Sequence, residues 1–275
     1  ENTLWHMDEP FGSMTMIAGH LLFKEAAQQG IRVLLTAQGA DEILAGYEKF
    51  YRPLVLSLYS RHQFAHIIRQ LWGFWKHHPY TRTRWWQKTK AASSPPVLPW
   101  IHPAFVPPAE ALFRRQAEDS LRACSLNLIQ EVGLPMLLHY EDRNSMAHGV
   151  EARLPFLDHR LVEFCLALPD DVKIKNGISK YLLRMALKDM LPAEVRERYE
   201  KVSFICPETL WMRQYPDFFG KQLKKAVETF PFIFDKNLIL AYGRYVAGQE
   251  KADAPLWRSF IVSKWLEKCD FSVLP

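Results

Sequence analysis

Apolar spacing sets the reading of the first fifty residues. Met14, Ile17, Ala18, Leu21, Leu22 and Ala26 recur at three- and four-residue intervals, which predicts a helix over 14–29. Gly30 follows it, and glycine takes the left-handed conformation that ends a helix more readily than any other residue. The run Ile31-Arg32-Val33-Leu34-Leu35 is short, apolar and partly β-branched, so it predicts a buried strand. Thr36-Ala37-Gln38-Gly39-Ala40 reads as a tight turn. Asp41-Glu42-Ile43-Leu44-Ala45 then has the acidic first turn of a helix. Helix, strand, glycine turn, helix is a piece of a parallel α/β sheet.

The rest of the chain reads as helix. Residues 50–123 are rich in Trp, Arg, His and Pro and show no strand alternation; amphipathic helices fit 54–75. Six prolines between Pro95 and Pro108 make that stretch irregular, because proline lacks the amide hydrogen a helix needs. The basic, proline-rich segment 80–108 is read as a surface loop or lid. Residues 118–168 return to helix with one interruption at Leu154-Pro155. Another helix is expected over 178–191, with Ser179 as its N-cap, and three or four more over 208–268. A single strand cannot satisfy its own backbone groups. Its partners are therefore expected upstream of Glu1, unless the strand assignment is wrong.

Composition narrows the class. The chain has 275 residues, 48% hydrophobic and 24% charged, as expected of a globular protein with one large or two modest domains. A net charge of +5 suits an anionic ligand such as a nucleotide, but it is too weak and too scattered for a nucleic-acid partner. Cys124, Cys165, Cys206 and Cys269 form no C-x-x-C pair and lie in or beside apolar segments. They read as reduced core thiols of a cytoplasmic protein, with no zinc site. No apolar run approaches about 18 residues, and Glu1 to Pro10 do not resemble a signal peptide, so no membrane partner is expected. The start without Met, directly into dense structure, suggests a piece of a larger protein.

Three groups of residues could carry chemistry. A glycine turn after a buried strand aims the next helix's amides at the sheet edge, which suits phosphate. At Gln38-Gly39-Ala40-Asp41-Glu42 the carboxylates would repel a phosphate directly but could hold one through Mg²⁺. The plainer alternative is a helix start stabilised by its own acids. Tyr140 to Met146 and Gly149 to Asp158 interleave Glu141, Asp142, Arg143, Glu151 and Arg153 with apolar residues. Burial would be costly unless these charges pair with one another or with a zwitterionic ligand. Lys180 and Lys201 could meet pyrophosphate oxygens as point charges, or form a solvated basic face.

The same residues carry a resemblance. Trp5 to Phe11, Leu34 to Tyr47, Glu141 to Asp158, and Lys180-Tyr181-Leu182-Leu183-Arg184 with Arg198, Lys201 and Phe204 are similar, in order and spacing, to the asparagine synthetase family. The resemblance spans residues 5 to about 210, and the later helices match only in character. It implies a mostly α-helical α/β fold, part of a PP-loop ATP pyrophosphatase domain lacking its N-terminal strands. Residues 1–52 would be a remnant of the nucleotide-binding core, 53–123 a helical and Pro-rich insertion, and 124–275 the helical C-terminal part.

It also implies ATP- and Mg²⁺-dependent amidation of aspartate through an acyl-adenylate. Ammonia would come from glutamine, hydrolysed by an N-terminal glutaminase domain outside this chain, and the pattern leaves room for a homodimer. By the resemblance Asp41 binds Mg²⁺-pyrophosphate, with Gly39, Glu42 and Lys180 beside the phosphates. Lys201 neutralises developing charge. Asp142, Glu151 and Arg153 lie near the acceptor pocket. The family's Ser-Gly-Gly-x-Asp-Ser loop is expected before Glu1, so this chain alone is expected to be inactive.

Two departures matter. Gln38 replaces the usual acid and cannot act as a base, though it can orient a substrate or the attacking ammonia. Ser203 stands where glycine is usual, which stiffens that loop. A relative with another acceptor, of β-lactam synthetase or peptide cyclase type, and a non-catalytic scaffold therefore remain as alternatives.

Overall fold

The computed structural model describes residues 1–78, 98–106, 120–131, 133–199, 206–249 and 254–269. It is mostly helical. In chain order the helices are α1 (Asn2–Met7), α2 (Thr15–Gln28), α3 (Ala40–Ile43), α4 (Tyr51–Ser60), α5 (Phe64–His77), α6 (Leu121–Gln130), α7 (Leu134–Met146) and α8 (His159–Ala167). They continue with α9 (Asp170–Lys173), α10 (Tyr181–Ala186), α11 (Ala193–Arg196), α12 (Glu208–Gln214), α13 (Pro216–Thr229), α14 (Asn237–Val246) and α15 (Ala254–Lys268). The described residues also include two strands, β1 (Val33–Leu35) and β2 (Glu151–Arg153), and short 3-10 turns at Glu48–Phe50, Pro103–Phe105 and Pro155–Leu157.

The predicted α2 forms, and its end has a clear cause. Gly30, at φ 75°, lets its own N–H reach Ala27 O at 3.0 Å and that of Ile31 reach Ala26 O at 3.0 Å. Both bonds occupy carbonyls that the helix leaves unpaired. The chain then enters β1. Contrary to expectation, the strand's partner lies within this chain. β2 pairs with β1 in parallel, Leu34 opposite Ala152, flanked by Glu151 N–H to Arg32 O at 2.8 Å and Thr36 N–H to Arg153 O at 2.9 Å. β2 falls inside 118–168, read above as helix; three residues of charged sequence give no period from which to recognise a strand. β1 is not buried either, since Val33 is 39% and Leu35 72% exposed.

Other boundaries shift for local reasons. The segment 54–75 is broken into α4 and α5 at Arg61–Gln63, with His62 at φ 57°. Over 178–191 only α10 is α-helical, and its N-cap is Lys180 in the left-handed region rather than Ser179. The four helices α12–α15 match the expected tail. Of segment 80–108, only 98–106 is described, and it is not a free loop. Trp100 is buried and its indole N–H donates to Ser259 Oγ at 3.0 Å, while Ile101 bridges to Phe234.

Three apolar clusters hold the helices. The largest joins α1 to α12–α15 around Met7, Met212, Leu223, Phe234, Leu238 and Trp257. A second joins α4 and α6 through Phe50, Leu54, Leu121, Cys124 and Ile174. A third packs Ile43, Leu44 and Cys165 under α10. Cys124 and Cys165 are core thiols as expected, but Cys206 is half-buried and Cys269 exposed; all four are free.

Candidate nucleotide-phosphate site

The site begins at the carboxyl end of the two-stranded sheet, where open α/β folds bind ligands. β1 leaves the sheet at Thr36 and turns through half-buried Gln38 into Gly39. Gly39 has φ 89°, and a Cβ on it would stand 2.2 Å from Leu157 Cδ2. Conformation and contact both require glycine here. The turn launches α3, which is one turn long and ends with Ala45 at φ 54° and Gly46 N–H on Asp41 O at 2.8 Å.

This geometry fixes the two acids differently. Glu42 is buried, 2% exposed, and accepts a 2.6 Å hydrogen bond from the Tyr47 hydroxyl. Burial, then the Glu42 hydrogen bond, push the Tyr47 hydroxyl well above its ordinary pKa, so it stays a donor. Glu42 therefore braces α3. Asp41 points the other way, and its Oδ1 lies 2.7 Å from Lys180 Nζ. Gly46 packs against this pair: a Cβ there would meet Asp41 Oδ1 at 1.8 Å and Lys180 Cε at 2.4 Å. Gly46 lies within the Leu34–Tyr47 motif, but no local pattern marks the close approach that requires it.

Lys180 arrives from a separate part of the chain. Lys175 and Ile178 bond each other's backbones across Asn176 and Gly177, which have φ 51° and 72°. Two successive positive φ values at Asn-Gly make the type I′ turn. The turn presses against α5, where a Cβ on Gly73 would meet Asn176 O at 1.8 Å. Gln70 spans it, accepting Gly177 N–H at 2.8 Å and donating to Ile174 O at 3.2 Å, and Tyr51 donates to Gly177 O at 2.6 Å.

The other predicted residues are placed as follows. Arg153 closes β2 at the same end of the sheet and forks onto Glu151 through bonds of 2.9 and 3.0 Å. Both side chains are more than half exposed, so these two charges pair with each other at the surface. Asp158 caps α8 and pairs with Arg160, and Arg143 pairs with Asp8. Asp142 is exposed on α7, whereas its neighbour Glu141 reaches the sheet and accepts the Thr36 hydroxyl. That contact joins residues 105 apart in sequence, and nothing in the sequence announced it. Lys201 and Ser203 lie outside the described residues. Among the described residues no group of three or more His, Cys, Asp or Glu is arranged to hold a metal ion, and no helix is long and apolar enough to cross a membrane.

The asparagine synthase family profile matches residues 1–267. The chain belongs to the asparagine synthase family. It is similar to asparagine synthetase [glutamine-hydrolyzing] 1 of Bacillus subtilis, 24% identical over 95% of this chain and 44% of that protein. It is also similar to the asparagine synthetases [glutamine-hydrolyzing] of Gallus gallus, 33% identical over 56% of this chain and 28% of that protein, and of Homo sapiens, 31% identical over 47% and 25%. The chain spans less than half the length of these curated relatives. The names of these relatives describe asparagine synthetases that hydrolyse glutamine.

Proposed function

We propose that this protein, within a larger polypeptide, uses ATP to convert aspartate to asparagine. The aspartate side-chain carboxylate attacks the α-phosphate of ATP, forming an acyl-adenylate and releasing pyrophosphate. Ammonia then displaces AMP. The observation that carries this reading is the Asp41–Lys180 pair at the carboxyl end of a parallel sheet in a member of this family. A diphosphate needs cationic neutralisation and fixed position more than covalent help. Lys180 supplies a charge there, and Lys201 is assigned a second.

A single carboxylate already paired to a lysine is a poor resident metal site. It does suit Mg²⁺ that arrives on phosphate oxygens, since this ion is commonly held by one or two carboxylates plus phosphate. Asp41 would hold it, and its charge would offset that of the leaving diphosphate. Gln38, one residue before Gly39, would orient the acceptor or ammonia. Asp142, Glu151 and Arg153 would face the acceptor. The division at 52/53 and 123/124, the PP-loop type of the sheet, a glutaminase domain supplying ammonia, a homodimer and a cytoplasmic location belong to the same proposal. So does inactivity of these 275 residues alone.

The test is a pyrophosphate-release screen of the whole protein across amino-acid acceptors. Aspartate is expected to give ATP-dependent release, and both Asp41→Asn and Lys201→Ala are expected to lower it at least about a hundredfold in folded protein. Release with another acceptor but not aspartate would shift the reading to a relative of β-lactam synthetase or peptide cyclase type, the alternative that Gln38 leaves open.

A further inference from the structure

Arg184 carries an inference that rests on the Asp41–Lys180 reading. Each of its three guanidinium nitrogens donates to a backbone carbonyl. Nε donates to Ser179 O at 3.0 Å, one Nη donates to Arg198 O at 2.9 Å, and the other donates to Arg196 O. The Tyr199 ring lies 5.2 Å from Cζ. Burial lowers the Arg184 pKa, but an arginine starts so high that it remains charged. These three bonds fix the Arg184 side chain against backbone, one helical turn from Lys180.

Its effect falls on Lys180. Ser179 O belongs to the peptide that enters Lys180, so a bond to it fixes that peptide plane. Lys180 has φ 52° and ψ 33°, a region residues with a Cβ rarely occupy unless their surroundings over-determine it. Two anchors do so. On one side the 175–178 turn is seated on α4 and α5 by Tyr51 and Gln70. On the other, Arg184 ties Ser179 to the backbone after α11. Lysine would not replace arginine, because an ammonium lacks the planar fork that reaches three carbonyls on two segments.

We propose that Arg184 is a positioning residue: it holds the left-handed Lys180 so that Nζ meets Asp41, and it thereby sets the affinity of the site for diphosphate.

The experiment is a double-mutant cycle in the whole protein, using Arg184→Lys, Lys180→Ala and the combination. It reads the KM for ATP, inhibition by pyrophosphate, the KM for the acceptor found by the screen, and the melting temperature. Arg184→Lys is expected to raise the KM for ATP and the pyrophosphate inhibition constant about tenfold, leaving the acceptor KM within about twofold. In the Lys180→Ala background it is expected to add almost nothing. Equal effects in both backgrounds, or an acceptor KM that rises in step, would overturn the proposal. Lys180→Ala with unchanged ATP and pyrophosphate binding would remove the grip itself, and this role with it. Should Arg184→Lys not fold, Arg184→Gln serves in its place, with the same outcomes deciding.

Discussion

At the scale of single residues, the site depends on atoms that are absent. Gly46 has no Cβ, and the space is filled by the Asp41 carboxylate and the Lys180 chain. Both would-be clashes are with side-chain ends, which can move aside, so Gly46→Ala should fold. The same displacement would push Asp41 from Lys180. We expect the KM for ATP to rise about tenfold, with a melting temperature within a few degrees of the parent. Kinetics and a thermal melt on one preparation check this, and an unchanged KM would separate the pair from nucleotide binding. Gly39→Ala is a different case, since φ 89° strains the backbone that launches α3, in addition to the clash with the Leu157 side chain. Asp41 and Gly39 could be picked from the sequence as a motif. The resemblance put Lys180 beside the same phosphates, but its direct contact with Asp41 was not legible, because Lys180 is distant in sequence and its side chain arrives by way of an Asn-Gly turn docked on another helix.

Among elements, the junction of α1, α2 and α7 carries three histidines. His20 Nε2 lies 3.2 Å from His148 Nε2, the His6 ring centroid is 6.0 Å from that of His20, and Asn2 and Asn144 complete the surroundings with Lys24 nearby. Burial first, then the neighbouring cations, hold His20 below the ordinary 6.5; burial, His6 and Lys24 do the same to His148. The folded state therefore binds fewer protons than the unfolded chain as pH falls through 6.5. Linkage makes stability rise with pH across that window, complete above it and lost below it. The melting temperature should fall between about pH 7.5 and pH 5. His148→Gln should flatten that slope, and an identical slope in the variant would rule the junction out. Helix periodicity foretold α2, but not that its His20 meets His148, which lies just past the end of α7.

Across the whole molecule, the small sheet is incompletely covered. Parallel sheets ordinarily have both faces buried. Here Val33, Leu35 and, on α2, Leu21 and Leu22 are exposed apolar positions, at 39%, 72%, 56% and 63%. A face of that kind fits a surface covered by further structure in a larger protein. Leu35→Glu should then destabilise the whole protein by about 2–4 kcal/mol. In these 275 residues alone it should change the melting temperature by less than about 2 °C. Equal melts in both contexts would mean that the face is free.

The sequence by itself determined α2 and its glycine stop, the β1–α3 turn, the tail helices and the family, because each rests on local periodicity, a special φ or a contiguous motif. Tertiary structure alone decided that β2 completes β1, that the charged run around Glu151 lies on the surface, that Trp100 is core, and that Lys180 faces Asp41. Those outcomes depend on contacts between segments more than a hundred residues apart, and on backbone conformations that a lysine adopts only when its neighbours impose them. No window of residues encodes either.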